Sequence, residues 1–296
     1  MASEDSVQPK LVQGAIYVAL CYLFLALFGA CAKACTDTVS TFTVLFFQNS
    51  ICFLLNLPRA LKDGIRTEHP FVHLTRSVCG FSGYFFFVLS VNYIPLANAV
   101  LLSNSGPLWI PFVIWVWFKR KVPSYLWGPL LVGFVSLVFI LKPNSEIVQV
   151  DSLYGLISGV LIGIAIVAIR RLALTEPSSR ILFYYFLLGS VVSFPGAIKD
   201  FSIVFSSQVV LFLGAAALSF YLVQIFITMG FKRGKASTLA PLSYLTVLFS
   251  AILDRIFWHR VPDLWSLTGM ILIVAAGVAS VYFEKKNESP LAQGNV

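Results

Sequence analysis

The chain has 296 residues, of which 58% are hydrophobic and 11% charged, and its mean hydropathy is +0.86. A soluble domain carries about 25% charged residues, so this composition excludes an ordinary soluble domain and predicts a protein embedded in lipid. The net charge of +8 at first suggests a nucleic-acid partner, but its distribution along the chain, described below, excludes that class.

Ten apolar segments are each long enough, or nearly so, to cross a bilayer, which takes roughly 20 residues. They cover residues 12–32, 39–58, 71–92, 96–118, 124–141, 151–169, 181–198, 206–231, 236–257 and 263–283. The joints between them carry charged or turn-forming residues, for example at 59–70 and 119–123. The sequence therefore predicts an all-α membrane protein with ten transmembrane helices.

The basic residues are divided unequally between the two sides that these ten segments define. If the N-terminus is cytoplasmic, 16 of the 21 Lys and Arg residues fall on the cytoplasmic side and 5 on the other. This asymmetry follows the positive-inside rule and predicts that both termini are cytoplasmic. Because topology accounts for the charge, we expect a lipid bilayer and no nucleic acid as the partner.

The second half of the chain repeats the first at an offset of 139 residues. The segment 117–123 (WFKRKVP) then falls on 256–262 (IFWHRVP). Because each half has five helices, an odd number, the second half enters the membrane from the opposite side. We predict two inverted-topology repeats at 11–148 and 149–283, with cytoplasmic tails at 1–10 and 284–296. Transporters of this kind rock two halves about a site at the midplane.

The polar interruption of the fourth span, LLSNSGPLWIP at 101–111, is the first candidate site. Pro107 has no N–H, so the carbonyl of Ser103 loses its helical hydrogen bond. Non-ideal backbone at membrane depth is tolerated where it lines a cavity. The offset pairs Asn104 with a polar position in the ninth span, which predicts a two-sided central site. The substrate-binding residues predicted here are Ser103, Asn104, Ser243 and Tyr244, and the predicted hinges are Pro107 and Pro241. The alternative is that these small polar residues only pack helices together.

Four further side chains extend this predicted substrate site. Tyr84 and Tyr221 stand out because a buried phenol needs a hydrogen-bond partner. Gln224 lies one turn from Tyr221 on the same helix face, and Trp109 lies deeper than the other tryptophans. Core packing is the default role of an aromatic stripe, and it stays an alternative here. An aromatic and amide-rich pocket suits a planar or zwitterionic metabolite better than a multiply charged anion.

Charged residues near the helix ends supply candidates for a mouth or gate. Lys33 and Asp37 are spaced to pair at the outer end of the first helix, and Asp254 and Arg255 lie near the outer end of the ninth. Ionisable residues in a span are functional candidates by default, although these four are close enough to the interface to snorkel. Arg76 begins the third span and is interpreted as an interface anchor.

The sequence predicts no catalytic centre, no metal site and no cofactor. His69 and His73 would share a helix face, but no third ligand accompanies them. Nucleotide-binding, metalloprotease and nucleophile motifs are absent from the sequence. The five cysteines form no CxxC pair and are interpreted as small apolar filler.

The ten-helix layout and several segments carry a family resemblance. The layout and the Gly- and Pro-containing pattern after the fourth and ninth spans resemble the EamA branch of the drug/metabolite transporter superfamily. Segments 70–81, 132–143, 182–195 and 240–254 resemble the S-adenosylmethionine uptake transporters of intracellular bacteria. The branch usually has a glutamate where this chain has Lys121 and Arg260, and an arginine where it has Gln48.

The resemblance implies a carrier in the bacterial inner membrane that moves a small-molecule substrate by alternating access, with helices 1, 2, 6 and 7 as gates. S-adenosylmethionine is the leading substrate, and an amino acid or another nucleoside-like metabolite is the alternative. A membrane enzyme or an assembly protein would be a different class. With no Asp or Glu at the centre of a span, exchange or facilitated diffusion is favoured over proton symport.

Overall fold

The computed structural model describes residues 7–36, 38–119, 124, 127–141, 150–173, 175–200, 207–231, 245–261 and 263–287. Within these ranges the chain is helical and contains no strand. The helices are α1 (Val7–Thr36), α2 (Thr41–Asp63), α3 (Pro70–Tyr93), α4 (Leu96–Ser103), α5 (Gly106–Phe118), α6 (Trp127–Leu141), α7 (Val150–Ala173), α8 (Ser178–Ala197), α9 (Ser207–Phe231), α10 (Leu245–Trp258) and α11 (Leu264–Asn287). A short 3₁₀ turn, Ile198–Asp200, follows α8.

Seven spans in the described part of the chain are long and apolar enough to cross a membrane. They correspond to α1, α2, α3, the interrupted pair α4–α5, α7, α8 and α9. Helices α6, α10 and α11 overlap the other three predicted spans, but their described apolar stretches are shorter. The all-helical class with membrane-length helices is therefore confirmed, while the count of ten spans stays a prediction.

Helices from the two halves of the chain pack against each other in a regular pattern. The largest contacts pair α1 with α9, α3 with α7, α2 with α8 and α6 with α11. Further contacts join α1 with α10, α7 with α4 and α5, α2 with α9, α3 with α8, and α4 with α10. The two halves can be matched helix by helix: α1–α3 correspond to α7–α9, α4–α5 to α10, and α6 to α11. If each helix is replaced by its counterpart, every pairing becomes either itself or another observed pairing; for example, the contact of α1 with α9 becomes the contact of α7 with α3. Two structurally equivalent halves produce this pattern.

The polar interruption divides the fourth span into two helices. Helix α4 ends at Ser103 and α5 begins at Gly106. Asn104 and Ser105 form the turn between α4 and α5, and Pro107 lies at the start of α5, where a missing N–H costs nothing. The predicted interruption is thus a real break in the helix.

Helices α2 and α8 are hydrogen-bonded to each other near both of their ends. At one end, the Asp200 carboxylate accepts hydrogen bonds from the backbone N–H of Ser40 (2.6 Å) and the hydroxyl of Thr43 (2.6 Å). At the other, Arg180 donates from Nε to the carbonyl of Gly64 (2.6 Å), and Asn56 donates to the carbonyl of Ser179 (2.9 Å). These bonds hold the two halves together on both sides of the apolar core.

Candidate functional site

A buried ion pair joins the two halves near the end of α1. Lys33 Nζ lies 3.3 Å from Asp254 Oδ1 and also donates to the carbonyl of Ile94 at 3.3 Å. The other oxygen of Asp254 accepts the N–H of Ala97 at 2.8 Å, in the first turn of α4. The Lys33 ammonium lies 4.8 Å from the ring centroid of Trp258. We call these five residues the Lys33 latch.

The physical role of Asp254 in this latch is twofold. The first N–H groups of a helix have no partner within the helix, and α4 begins after Pro95, whose side chain cannot cap it. Asp254 supplies that cap from the other half of the chain, and its negative charge also complements the positive end of the helix. Separating α10 from α4 therefore breaks an ion pair and uncaps a helix at once.

The gate residues predicted from the sequence are partly brought together here. Lys33 and Asp254 meet, and both are buried rather than extended to an interface. Lys33 contacts Asp254 across the two halves, while Asp37 lies outside the described residues, so the predicted pairing of Lys33 with Asp37 stays a prediction. Arg255, next to Asp254, is exposed.

A second buried polar contact joins the halves near the start of α3. Nε2 of His73 and Oε2 of Glu176 lie 2.6 Å apart, and both side chains are only 3% exposed. The hydroxyl of Thr67 donates to the other oxygen of Glu176, and the ring of Tyr184 packs 4.6 Å from the imidazole. We call these four residues the His73 latch. It lies at the opposite end of α3 from Ile94, and therefore about 30 Å from the Lys33 latch.

The environment of Glu176 favours its charged form. Burial by itself would raise the pKa of this carboxyl, but the hydrogen bonds from Thr67 and His73, together with the charges of His73 and Arg180, outweigh it and lower the pKa below its ordinary value. Glu176 lies in the joint between α7 and α8, outside the spans. The His73 latch thus contains a carboxylate that stays ionised at neutral pH.

Arg76 lies inside the protein, and its interpretation as an interface anchor is wrong. Its side chain is 4% exposed, and its Cζ lies 3.8 Å from the ring centroid of Tyr185 on α8. An interface anchor extends toward headgroups and water, whereas this guanidinium packs along α3 against Gly80. The side chain therefore belongs to the interior between α3 and α8.

Aromatic rings continue from Arg76 across the interior. Tyr84, two turns along α3, packs edge-on against Phe220 of α9, with ring centroids 4.8 Å apart. Phe28 of α1 contacts both rings, at 6.1 Å from Tyr84 and 5.1 Å from Phe220. Together with Arg76 and Tyr185, these rings form what we call the Arg76 cluster, to which α1, α3, α8 and α9 each contribute. The predicted binding residue Tyr84 lies within it.

Several buried polar atoms have no hydrogen-bond partner within the described part of the chain. A buried polar group without a partner costs free energy, so such atoms indicate where water or a ligand binds. They are Nε2 and Oε1 of Gln48, Oδ1 of Asn49, Nδ1 of His73, Nε of Arg76, the hydroxyls of Ser77, Ser103, Ser158, Tyr185, Thr246 and Ser250. Those of Arg76, Ser77 and Tyr185 come from neighbouring positions on α3 and α8.

The predicted site around the α4–α5 break is packed against α7. The added Cβ of an alanine at Gly159 would lie 2.6 Å from the carbonyl of Leu102 and 3.4 Å from that of Ser103. Gly155 and Gly163, one turn away on either side, lie equally close to α4 and α5. Small residues at this spacing let helices approach closely in membranes. On the side of the break that carries the Ser103 carbonyl, helix packing against α7, the alternative to a binding site, therefore accounts for the small residues.

The other predicted binding residues are distributed around the interior. Asn104 is half-buried in the turn, and its N–H donates to the carbonyl of Val100 at 2.8 Å. Trp109 donates from its indole to the hydroxyl of Ser105 at 3.2 Å. Tyr221 donates to the carbonyl of Leu55 at 3.4 Å, so its hydroxyl is already engaged with α2.

The rest of the predicted set is less informative. Gln224 is half-buried on α9. Ser243, Tyr244 and Pro241 lie outside the described residues, so the second half of the predicted two-sided site stays a prediction. In the described ranges, no three His, Cys, Asp or Glu side chains come together in a way that could hold a metal ion.

Sequence reasoning missed the Arg76 cluster and the His73 latch for different reasons. Arg76 stands seven residues into a span of 24, and a charge at that depth was a usable signal of function. The pairing of His73 with Glu176 joins residues 103 positions apart, and no local pattern indicates it.

Comparison with known proteins assigns the family. The EamA-like transporter family model matches the chain twice, over residues 12–142 and 151–282. These two matches cover most of the chain, so the chain belongs to the EamA-like transporter family. The family resemblance inferred from the sequence is therefore confirmed. The family and the names of the relatives indicate a transporter and not an enzyme.

The chain is similar to characterised bacterial transporters with different cargoes. It is 27% identical over 275 residues to a pseudopaline exporter of Pseudomonas aeruginosa, covering 91% of this chain and 96% of the relative. It is 26% identical over 251 residues to an S-adenosylmethionine uptake transporter of Rickettsia bellii, covering 83% and 85%. A riboflavin transporter of Rhizobium johnstonii is 23% identical over 290 residues, 96% of each chain.

A solved crystal structure shares the fold. It matches with a TM-score of 0.60 over 95% of this chain and 99% of its own, at 20% sequence identity.

Proposed function

We propose that this member of the EamA-like transporter family is an alternating-access carrier for a small polar organic metabolite, with S-adenosylmethionine as the leading substrate. The observation that carries the proposal is that two buried polar latches lie at opposite ends of α3. The Lys33 latch ties α1 and the start of α4 to α10, and the His73 latch ties α3 to the joint before α8. Each one connects the two halves of the chain.

Such latches suit a carrier because opening either end requires only one of them to break. Separating the partners leaves a buried charged or polar group without its partner, which is costly, so each latch favours either a fully closed or a fully open arrangement. Rocking of one half against the other would separate Lys33 from Asp254, or His73 from Glu176, but not both together. The break at Asn104 would allow α4 and α5 to move independently.

The substrate assignment rests on chemistry and on similarity. The rings of Tyr84, Phe28 and Phe220 offer stacking surface for a planar base and a negative face for a cation. S-adenosylmethionine combines an adenine, a sulfonium and an amino-acid group. One group of relatives bears its name, at 26% identity. An amino acid or another nucleoside-like metabolite is the alternative.

The direction of transport and the orientation in the membrane are part of the proposal. We place the chain in a bacterial inner membrane with both termini cytoplasmic, on the charge asymmetry. The His73 latch would then close the cytoplasmic end and the Lys33 latch the external end. Uptake or exchange is favoured over export by the S-adenosylmethionine relatives, whereas the pseudopaline exporter supports the reverse.

Uptake of radiolabelled metabolites into proteoliposomes tests the proposal. The purified protein should take up S-adenosylmethionine saturably, and Asp254→Asn should slow uptake strongly because it removes the negative charge 3.3 Å from Lys33. Arg59→Gln, which removes an exposed charge at the end of α2, is the control and should leave uptake unchanged. No saturable uptake of any compound in a panel of amino acids, nucleosides and flavins would contradict the proposed function.

The driving force is tested in the same vesicles. No Asp or Glu of the described spans occupies the middle of the membrane, and the ionisable pairs lie toward their ends, which supports exchange or facilitated diffusion. Collapsing the proton gradient should leave uptake intact, and loading the vesicles with unlabelled substrate should accelerate it. Loss of uptake when the gradient collapses would identify proton symport instead.

A further inference from the structure

The guanidinium of Arg76 lies near the middle of the span formed by α3. The side chain extends along α3 so that it packs against Gly80, one turn further into the helix. Gly80 lies ten residues beyond Pro70, which is about 15 Å along the helix axis and about half of a hydrocarbon core roughly 30 Å thick. A side chain at Gly80 would meet both the guanidinium and the ring of Tyr185, whose Cε2 would lie 3.2 Å away. The absence of a Cβ therefore makes room for both.

This charge has no counter-ion in the described part of the chain. The ion pairs found there involve Lys33 and Arg59, the carboxylate of Glu176 contacts His73, and Arg76 takes part in none of these contacts. Its guanidinium stacks on the face of the Tyr185 ring, 3.8 Å from the ring centroid. An arginine buried at this depth without an anion is costly.

Part of the guanidinium remains available for hydrogen bonding. Within the described part of the chain, Nε of Arg76 and the hydroxyls of Ser77 and Tyr185 are buried and make no well-formed hydrogen bond, although the Tyr185 hydroxyl approaches the guanidinium. The Tyr185 ring stacks on a face of the guanidinium, with its centroid 3.8 Å from Cζ, and a contact of this kind does not use the N–H donors in the plane of the group. A buried guanidinium with an unsatisfied Nε fits one chemical group well, a carboxylate, which binds an arginine through two parallel hydrogen bonds.

We propose that Arg76 is the carboxylate-binding residue of the transport site, and that this chain carries metabolites with a free carboxylate. The inference rests on the proposed transport function and narrows its substrate class. The carboxylate would bind the guanidinium of Arg76 beside the hydroxyl of Tyr185. The remainder of the substrate would extend along α3 toward Tyr84, Phe28 and Phe220, where a base or a cationic group meets aromatic rings.

A purely structural role for Arg76 makes a different prediction. If stacking on Tyr185 were its purpose, the protein would be less stable without it. If the charge serves a ligand, then Arg76→Gln should melt at or above the wild-type temperature, because an uncompensated buried charge has been removed. Arg59→Gln is the matched control, since Arg59 is exposed at the end of α2 and pairs only loosely with Asp63, at 3.9 Å.

The test compares substrates with and without the carboxylate. In proteoliposomes, unlabelled S-adenosylmethionine should inhibit uptake of the labelled compound by the wild type at least about tenfold more strongly than its decarboxylated analogue, since charge-assisted hydrogen bonds are lost. Arg76→Gln should raise KM about tenfold or more and abolish the preference for S-adenosylmethionine over its decarboxylated analogue. Arg76→Lys should retain part of this preference, and Arg59→Gln should behave as wild type. Equal inhibition of the wild type by both compounds, or an unchanged preference in Arg76→Gln, would overturn the inference.

Failure of the proposed function is distinguished by a binding measurement that needs no transport. If S-adenosylmethionine is not taken up, the melting temperature of the purified protein is measured with each carboxylated panel compound and with the amide or decarboxylated counterpart of that compound. Stabilisation by a carboxylated compound in the wild type, lost in Arg76→Gln, supports the site even with a different substrate. The site is contradicted if carboxylated compounds stabilise wild type and Arg76→Gln equally. It is also contradicted if Arg76→Gln melts at a lower temperature than wild type without ligand.

Discussion

Lys33 and Asp254 stand 221 positions apart in the chain, yet their side chains form a buried ion pair 3.3 Å long. The same carboxylate caps the first turn of α4 through the N–H of Ala97. One side chain of the second half therefore holds two elements of the first. This contact is the most specific link between the halves near the end of α1.

Removing one partner of this pair should destabilise the protein. Asp254→Asn leaves Lys33 charged and buried, which we expect to lower the free energy of unfolding by about 3 to 5 kcal/mol. Lys33→Met should cost a similar amount. The double variant Lys33→Met/Asp254→Asn should be more stable than either single one, because no charge stays unpaired. Thermal unfolding of the four proteins in detergent forms a double-mutant cycle that measures the coupling.

Additive losses in that cycle would show that the two charges do not depend on each other. Arg255→Gln provides the control for a change of charge at the same helix end, and it should alter stability by less than about 0.5 kcal/mol.

The His73 latch predicts a pH dependence with a defined sign. The pKa of Glu176 is lowered in the folded protein from an ordinary value of 4.5, so its ionised form is stabilised by folding. That contribution is complete above the unfolded-state pKa and is lost as the pH falls through the folded-state pKa. At pH 7, Glu176→Gln should be less stable than wild type by about 2 kcal/mol. The difference should shrink as the pH is lowered below 4.5.

Melting temperatures of both proteins between pH 3 and pH 8 check this behaviour. Glu68→Gln, at an exposed position in the loop before α3, should follow the wild-type curve throughout. A gap between wild type and Glu176→Gln that stays constant down to pH 3 would mean that the carboxylate charge of Glu176 contributes nothing to the latch.

The architecture was largely predictable because lipid imposes strong local rules. A helix that crosses a bilayer needs about 20 apolar residues, so the spans from α1 to α3 could be located from composition alone. Pro107 likewise indicated a break, because a proline nitrogen cannot donate a hydrogen bond. Both features depend on residues close together in the chain.

The candidate site was less predictable because it depends on how distant helices meet. Asn104 and Ser103 stood out as polar residues in an apolar run, yet the carbonyl beside them faces the glycines of α7. Arg76 was assigned to the interface because it begins a span, and only the packing of α3 on α8 shows that its side chain turns inward. Partners more than 100 residues apart leave no local pattern.

The glycines of α7 should be intolerant of side chains where they meet the α4–α5 break. Gly159→Ala would place a methyl group 2.6 Å from the carbonyl of Leu102, a backbone atom that cannot rotate away. We expect a loss of about 1 to 3 kcal/mol from overpacking and a marked loss of uptake. Gly214→Ala on α9, where a methyl group meets nothing within 4 Å, should be neutral or slightly stabilising.

Thermal unfolding and uptake of both glycine variants measure this contact. A Gly159→Ala protein as stable and active as Gly214→Ala would show that α7 does not pack closely on the break.

Counterflow in proteoliposomes tests the central claim, a carrier with a carboxylate-binding centre at Arg76, most directly. Vesicles loaded with unlabelled S-adenosylmethionine and diluted into labelled substrate should accumulate the label transiently in the wild type. Arg59→Gln should do the same, while Arg76→Gln should show at most about a tenth of that accumulation at the same concentration. Two results would contradict the account. One is the absence of counterflow with S-adenosylmethionine and with every other carboxylated compound of the panel, and the other is equal counterflow in wild type and Arg76→Gln.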